Sequence, residues 1–175
     1  LTAKYPSCTS EFVGRKTELK EAEKLLTEHS LLFVTGIAGI GKSEFAKAFV
    51  EKYKKKYTNI IYGHYSGSLK KDIAGLVFAD DSLEMTEDEL FDRHYKMFQK
   101  LHSDSLLIID NFNVLPKDDE FFRELIRNDF QILITTRCKI TRFATIEIKE
   151  LDSEKELPDL FCRYCPSAKS GSDTV

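Results

Sequence analysis

The sequence has no tryptophan, and only two methionines, four prolines and eight glycines in 175 residues. So little proline and glycine excludes a collagen-like or low-complexity chain. No apolar run approaches the ~20 residues that a membrane-spanning helix needs, and no secretory signal is recognisable. The four cysteines, Cys8, Cys138, Cys162 and Cys165, are scattered. In a chain with this much core they read as reduced thiols of a cytoplasmic protein rather than a disulfide framework. Cys162 and Cys165 form a CxxC, but no second CxxC or histidine pair completes a zinc site. His29, His64, His94 and His102 have no metal-ligand spacing and are assigned to surface or helix faces. Neither sign of charge dominates: the net charge is -3, with a pI near 5.9. There is thus no global attraction to nucleic acid or to a membrane. The run Lys52, Lys54, Lys55 and Lys56 reads as a solvated helix end.

What is present is an ordinary globular composition, 42% hydrophobic and 31% charged, at a length that suits one domain. Short apolar runs alternate with helical patterns. Leu31–Thr35, Asn59–Tyr65, Leu106–Asp110 and Gln131–Arg137 suit strands buried on both faces, while Thr145–Lys149 alternates like an edge strand. Helices are expected over Lys16–Glu28, Ser43–Tyr57, Leu69–Phe78, Glu87–Leu101 and Asp118–Asn128. Thr86 and Glu89 form a capping-box pair ahead of a stripe of Leu90, His94, Phe98 and Leu101. Strands alternating with helices imply βαβ units and an α/β fold, a parallel sheet covered on both faces. From about Pro166 onward polar residues replace apolar ones, which predicts a disordered tail.

Gly36-Ile37-Ala38-Gly39-Ile40-Gly41-Lys42-Ser43 fits G-x-x-x-x-G-K-[ST] at every fixed position and lies between a buried strand and a helix. Phosphate oxygens must be met by several backbone N–H groups at once, and glycines remove the Cβ atoms that would obstruct that approach. The helix beginning near Lys42 directs its positive end at the same anion. Gly36, Ile37, Ala38, Gly39, Ile40, Gly41, Lys42, Ser43 and Glu44 are therefore the candidate phosphate-binding residues. Lys42 can reach the β- and γ-phosphates of ATP, and the Ser43 hydroxyl can ligate Mg²⁺. Asp110, ending a strand of four apolar residues, is poorly explained by packing because a buried carboxylate needs a partner. A Mg²⁺ ion beside Ser43 supplies one. Arg137, at the end of the next strand, is a candidate for charge-assisted hydrogen bonds to the γ-phosphate.

Taken in order, Phe12-Val13-Gly14-Arg15, the P-loop, the LLIIDN segment, the ITTR segment and the stretch Leu151–Phe161 resemble the nucleotide-binding subdomain of STAND-class P-loop NTPases, the NB-ARC family. The resemblance covers residues 11–161, leaving 1–10 as a leader and 162–175 as a tail. It implies a three-layer αβα P-loop NTPase with a five-stranded parallel sheet in the order 2-3-4-1-5, the P-loop strand being 1 and the Asp110 strand 3. It implies Val13 and Arg15 against adenine and ribose, and an ATP/ADP switch whose slow hydrolysis controls oligomerisation within a larger signalling protein. Other domains of that protein and a nucleotide-dependent homo-oligomer are the implied partners. The residue after Asp110 is Asn111 where many relatives carry an acid. An amide can position water but cannot accept its proton, so slow turnover is expected. The alternative is an AAA+-type ATPase module of a replication or remodelling machine, which shares strand order and motifs. A small-molecule kinase would need an arginine-rich lid, and none lies between Asp110 and Gln131.

Overall fold

In the computed structural model, residues 6–7, 14–78 and 81–150 are described. The leader, the tail, Val13, the stretch 151–161 and the cysteines other than Cys138 lie outside them, apart from Pro6 and Ser7. The apolar runs become parallel strands: β1 (Leu31–Thr35), β2 (Asn59–His64), β3 (Ser105–Asp110), β4 (Gln131–Thr136) and β5 (Ala144–Glu147). They form one sheet in the order β2-β3-β4-β1-β5, every pairing parallel, with β1 as the P-loop strand and β3 as the Asp110 strand. The strand order implied by the resemblance is the one observed.

Alternation within the central strands divides the core between two faces. Leu32 and Val34 of β1 pack on α1 (Lys16–His29) and α2 (Lys42–Tyr53), through Leu19, Leu26, Phe45 and Phe49. Leu31 and Phe33 face the other layer, formed by α3 (Leu69–Ala74), α4 (Glu87–Phe98) and α5 (Phe122–Leu125). β3 is buried along its whole length, as a run with helices on both sides must be. β5 lies at the edge, and only Ile146 of its four residues is fully buried. Among the described residues no helix is long and apolar enough to cross a membrane.

Several helices are shorter than the periodicity predicts. After Tyr53 the chain tightens into a 3₁₀ turn over Lys54–Lys56, where Lys54 pairs with Glu51 and Lys56 with Glu23. α3 stops at Ala74, ahead of Gly75. The predicted helix over Asp118–Asn128 is one turn, Phe122–Leu125, and the cause is Asp119. That buried carboxylate accepts from the Leu69 N–H (2.9 Å), the Tyr65 hydroxyl (3.1 Å) and the Phe121 N–H (3.0 Å), so its segment is bound to other elements instead of entering a helix. At the far end the Asn128 amide donates to the Leu125 carbonyl (2.8 Å). Helix α4 begins at the predicted capping box, with both reciprocal bonds formed. His94, on the α4 stripe, is fully buried and held between the Ile73 carbonyl (2.8 Å) and Asp81 (3.0 Å).

Candidate nucleotide site

The site stands at the carboxyl ends of β1, β3 and β4, where the chain leaves each strand. Beyond Thr35 it turns at Gly36, whose φ is 150°. A Cβ there would stand 2.7 Å from the Ile148 carbonyl oxygen, so the backbone passes through a gap that only glycine fits. Gly41, at φ 96°, caps α2 with no side chain over the helix end. The first helical bond runs from Phe45 N–H to Gly41 carbonyl, so the preceding N–H groups of the first turn have no helical acceptor. They face a cleft of about 350 Å³. Ala38, Gly39, Gly41, Lys42, Ser43 and Glu44 form one wall, and Asn111, Thr135 and Arg137 the other.

The Lys42 ammonium donates to the carbonyls of Gly36 (2.8 Å) and Ile37 (2.7 Å), lying across the loop it belongs to. Burial, then the Arg137 guanidinium, lower its pKa from the usual lysine range, while Asp110 pulls the other way. Behind this lining Asp110 is buried, 7% exposed. Its Oδ1 accepts from the Ser43 hydroxyl at 2.8 Å and the Thr135 hydroxyl at 2.5 Å, and its Oδ2 lies 3.9 Å from His64 Nδ1. Asn111 takes a left-handed conformation, φ 65°. Its N–H donates to the Thr135 hydroxyl at 2.8 Å, and its side-chain oxygen accepts from the Asn113 amide. A residue held at positive φ by such contacts marks a place where the fold over-determines the backbone.

The candidate residues Lys42, Ser43, Glu44, Asn111 and Arg137 thus line one cleft together with Ala38, Gly39 and Gly41, and Asp110 joins them through its bond with Ser43. Ile37 gives its carbonyl to Lys42 and is itself 66% exposed. Ile40 turns inward against the core behind the loop. Arg15 is placed differently. It is buried, and its guanidinium is committed to the Lys149 carbonyl (2.6 Å) and to Glu18 (3.4 Å), tying the start of α1 to the chain beyond β5. Glu44 is paired with Lys47 at 2.6 Å.

Sequence reasoning missed three neighbours of Asp110. Thr135 joins Asp110 to the Asn111 backbone, and its only signal was a hydroxyl at the end of an apolar run. His64 stands in register with Asp110 across β2 and β3. Among the described residues, the Tyr62 hydroxyl is buried with no partner in hydrogen-bonding geometry. Burial and the adjacent Asp110 carboxylate push its phenol well above the usual range. Neither position is visible without the pairing of β2 with β3.

The oxygen set fits Mg²⁺. Ser43 and Asp110 are hard donors already within 2.8 Å of each other. Among the described residues no cluster of three or more His, Cys, Asp or Glu forms a closed metal cage. Mg²⁺ characteristically takes one or two protein oxygens and completes its shell with water and phosphate.

A family profile described as an AAA domain, AAA_22, matches residues 25–151, most of the chain. The chain belongs to this family. Its AAA domain fold is shared with solved structures at low identity. A Walker-type ATPase of Pyrococcus abyssi superposes with TM-score 0.61 at 15% identity, covering 94% of this chain and 61% of the other. AMPPCP-bound DnaA from Aquifex aeolicus gives 0.57 at 14%, with 89% and 52% covered. The ADP complex of Hsp104 from S. cerevisiae gives 0.59 at 19%, with 88% and 25% covered. The AAA domain described here therefore spans less than two thirds of each of these proteins. Among curated proteins, none matches by sequence. With the strand order and the P-loop, these findings make the chain an AAA-type P-loop NTPase.

Proposed function

We propose that the domain is an ATP/ADP-binding switch of a larger signal-transduction ATPase of the NB-ARC type, in which slow hydrolysis times an oligomeric state. The observation that carries the nucleotide reading is the meeting of Lys42, Ser43, Asp110 and Arg137 at the open end of α2. Main-chain N–H groups and the Lys42 ammonium would take the β- and γ-phosphates. Ser43 and Asp110 would hold Mg²⁺, which when bound neutralises charge developing on the phosphates. Thr135 orients the Asp110 carboxylate, and Arg137 meets charge that is present with ATP and lost with ADP. Val13 and Arg15 would stand on the adenine side.

Slow turnover is supported by Asn111, which follows Asp110 in place of an acid, and by the ion pair that engages Glu44, a carboxylate on the cleft wall. Without a free carboxylate at the water, its proton has no ready acceptor. The Phe12–Arg15, LLIIDN and ITTR segments support the NB-ARC subclass. Family membership and likeness to DnaA and Hsp104 favour a second reading, an AAA+-type module of a replication or remodelling machine.

Isothermal titration with ATP and ADP, with and without Mg²⁺, tests binding: saturable heat is expected for both nucleotides, and none for either overturns the assignment. Steady-state hydrolysis separates the two readings. Turnover well below about 1 s⁻¹ is expected of a switch, and a rate above that, ordinary for enzymes, favours the machine.

A further inference from the structure

The turn that follows β3, residues 111–113, is stapled to the end of β4. The Asn111 N–H donates to the Thr135 hydroxyl and the Phe112 N–H to the Thr135 carbonyl, both at 2.8 Å. A further bond closes the turn, from the Arg137 N–H to the side-chain oxygen of Asn113 at 2.9 Å. An amide side chain can be turned end for end without changing its shape, but a main-chain N–H can only donate. The Arg137 N–H therefore fixes which end of the Asn113 amide is oxygen. The NH₂ end of Asn113 faces Asn111, so the Asn111 atom that meets it must be an acceptor, its side-chain oxygen. Asn111 is thereby oriented in turn, with its own NH₂ group pointing away from Asn113.

This orientation sets the chemistry of the cleft wall made by Asn111, Thr135 and Arg137. One N–H of the Asn111 amide faces His64 Nε2 at 3.5 Å, and among the described residues the other has no acceptor. An amide oxygen presented here would suit the proton of a water and repel an anion. An N–H suits an anionic oxygen, as does the Arg137 guanidinium on the same wall, which has donors only. We propose that Asn111 donates to the terminal phosphate of a nucleoside triphosphate, and that Asn113 is the positioning residue that holds it donor-outward. On the nucleotide reading, which this role presupposes, the loop and Lys42 grip the phosphates from the opposite wall, and the terminal phosphate is the group that ADP lacks. The residue that stands in place of an acid is then a reader of the triphosphate, a neutral donor beside the charged Arg137.

Calorimetric titration of the full chain with Mg²⁺ and either ADP or β,γ-methylene ATP, which is not hydrolysed, tests this. Asn111→Gly removes the donor and keeps a residue suited to a φ of 65°. Asn113→Asp still accepts from the Arg137 N–H but offers Asn111 an acceptor, so the Asn111 amide turns over and presents its oxygen to the cleft. Each variant is expected to bind the triphosphate analogue about tenfold more weakly, the scale of one hydrogen bond to a charged group, and ADP within about twofold of the wild type. Asn113→Ala, which adds no charge, should shift the same ratio in the same direction. A loss confined to Asn113→Asp is repulsion by the added charge and overturns the proposal, as does an unchanged ratio in Asn111→Gly or an equal loss of both nucleotides. A wild type that binds neither nucleotide overturns the nucleotide reading itself, and this role with it. Should a variant fail to fold by circular dichroism, the assigned side-chain NH₂ resonances of Asn111 in the wild type decide. They should shift with the triphosphate analogue and stay in place with ADP, and an equal response to both overturns the proposal.

Discussion

One hydroxyl, that of Thr135, stands at the centre of the polar side of the nucleotide cleft. It donates to Asp110 and accepts from the Asn111 N–H, so the carboxyl ends of β3 and β4 share one geometry. Lys42 is its counterpart on the loop side, and its two bonds to loop carbonyls show that its stem reaches across the phosphate cradle. Replacing it removes a charged donor and no core packing. Lys42→Ala is expected to weaken ATP binding by about 10- to 100-fold, the range for a hydrogen bond to a charged group, while leaving the melting temperature nearly unchanged. Titration calorimetry paired with thermal unfolding checks both halves. Lys42, Ser43 and Asp110 were legible in the sequence because each departs from what packing alone would place there. Thr135, His64 and Tyr62 were not, because a hydroxyl or an imidazole at a strand end acquires meaning only from the strand beside it.

At the scale of elements, strands were read to within a residue or two at each end and helices less well. The strands are set by apolar runs that burial on both faces requires, and those runs are explicit. Helix ends depend on local competition. Three consecutive lysines tighten the end of α2, Gly75 closes α3, and Asp119 is drawn away to Leu69 and Tyr65, which shortens α5 to a turn. Where the competing interaction is itself local, as with the capping box of α4, the boundary was legible. There Thr86 accepts from the Glu89 N–H, and Glu89 accepts in return from the Thr86 N–H at 2.8 Å. Thr86→Ala leaves an uncapped helix end and should cost about 1 kcal/mol. In a domain of this size that lowers the melting temperature by roughly 2–4 °C, which differential scanning calorimetry resolves. An unchanged melting temperature would mean that α4 is held by its packing alone.

The whole molecule carries a pH limit on its alkaline side. Burial, then the Asp119 carboxylate, push the Tyr65 phenol up to about 12, and burial raises Tyr57 and Tyr62 as well. In the unfolded chain a phenol titrates near 10, so the folded state holds these protons more tightly. The stability this contributes is complete below about pH 10 and is lost as the pH rises through about 12. Urea unfolding at rising pH should therefore show stability falling across that window. Tyr65→Phe should be less stable at neutral pH, having lost its bond to Asp119, yet lose less between about pH 10 and 12. A variant as pH-sensitive as the wild type would remove Tyr65 from the account.

The sheet order also governs when the site comes into being. β1, which delivers the P-loop, is flanked by β4 and β5, so its neighbours are Ile132 through Thr136 and Ala144 through Glu147. During synthesis the P-loop strand emerges with neither of its lateral partners yet made, and the carbonyl of Ile148 that closes on Gly36 comes later still. Pairing so distant along the chain is slow to form. A nascent chain halted before β4 would carry the whole glycine-rich motif and yet have no cradle for a phosphate.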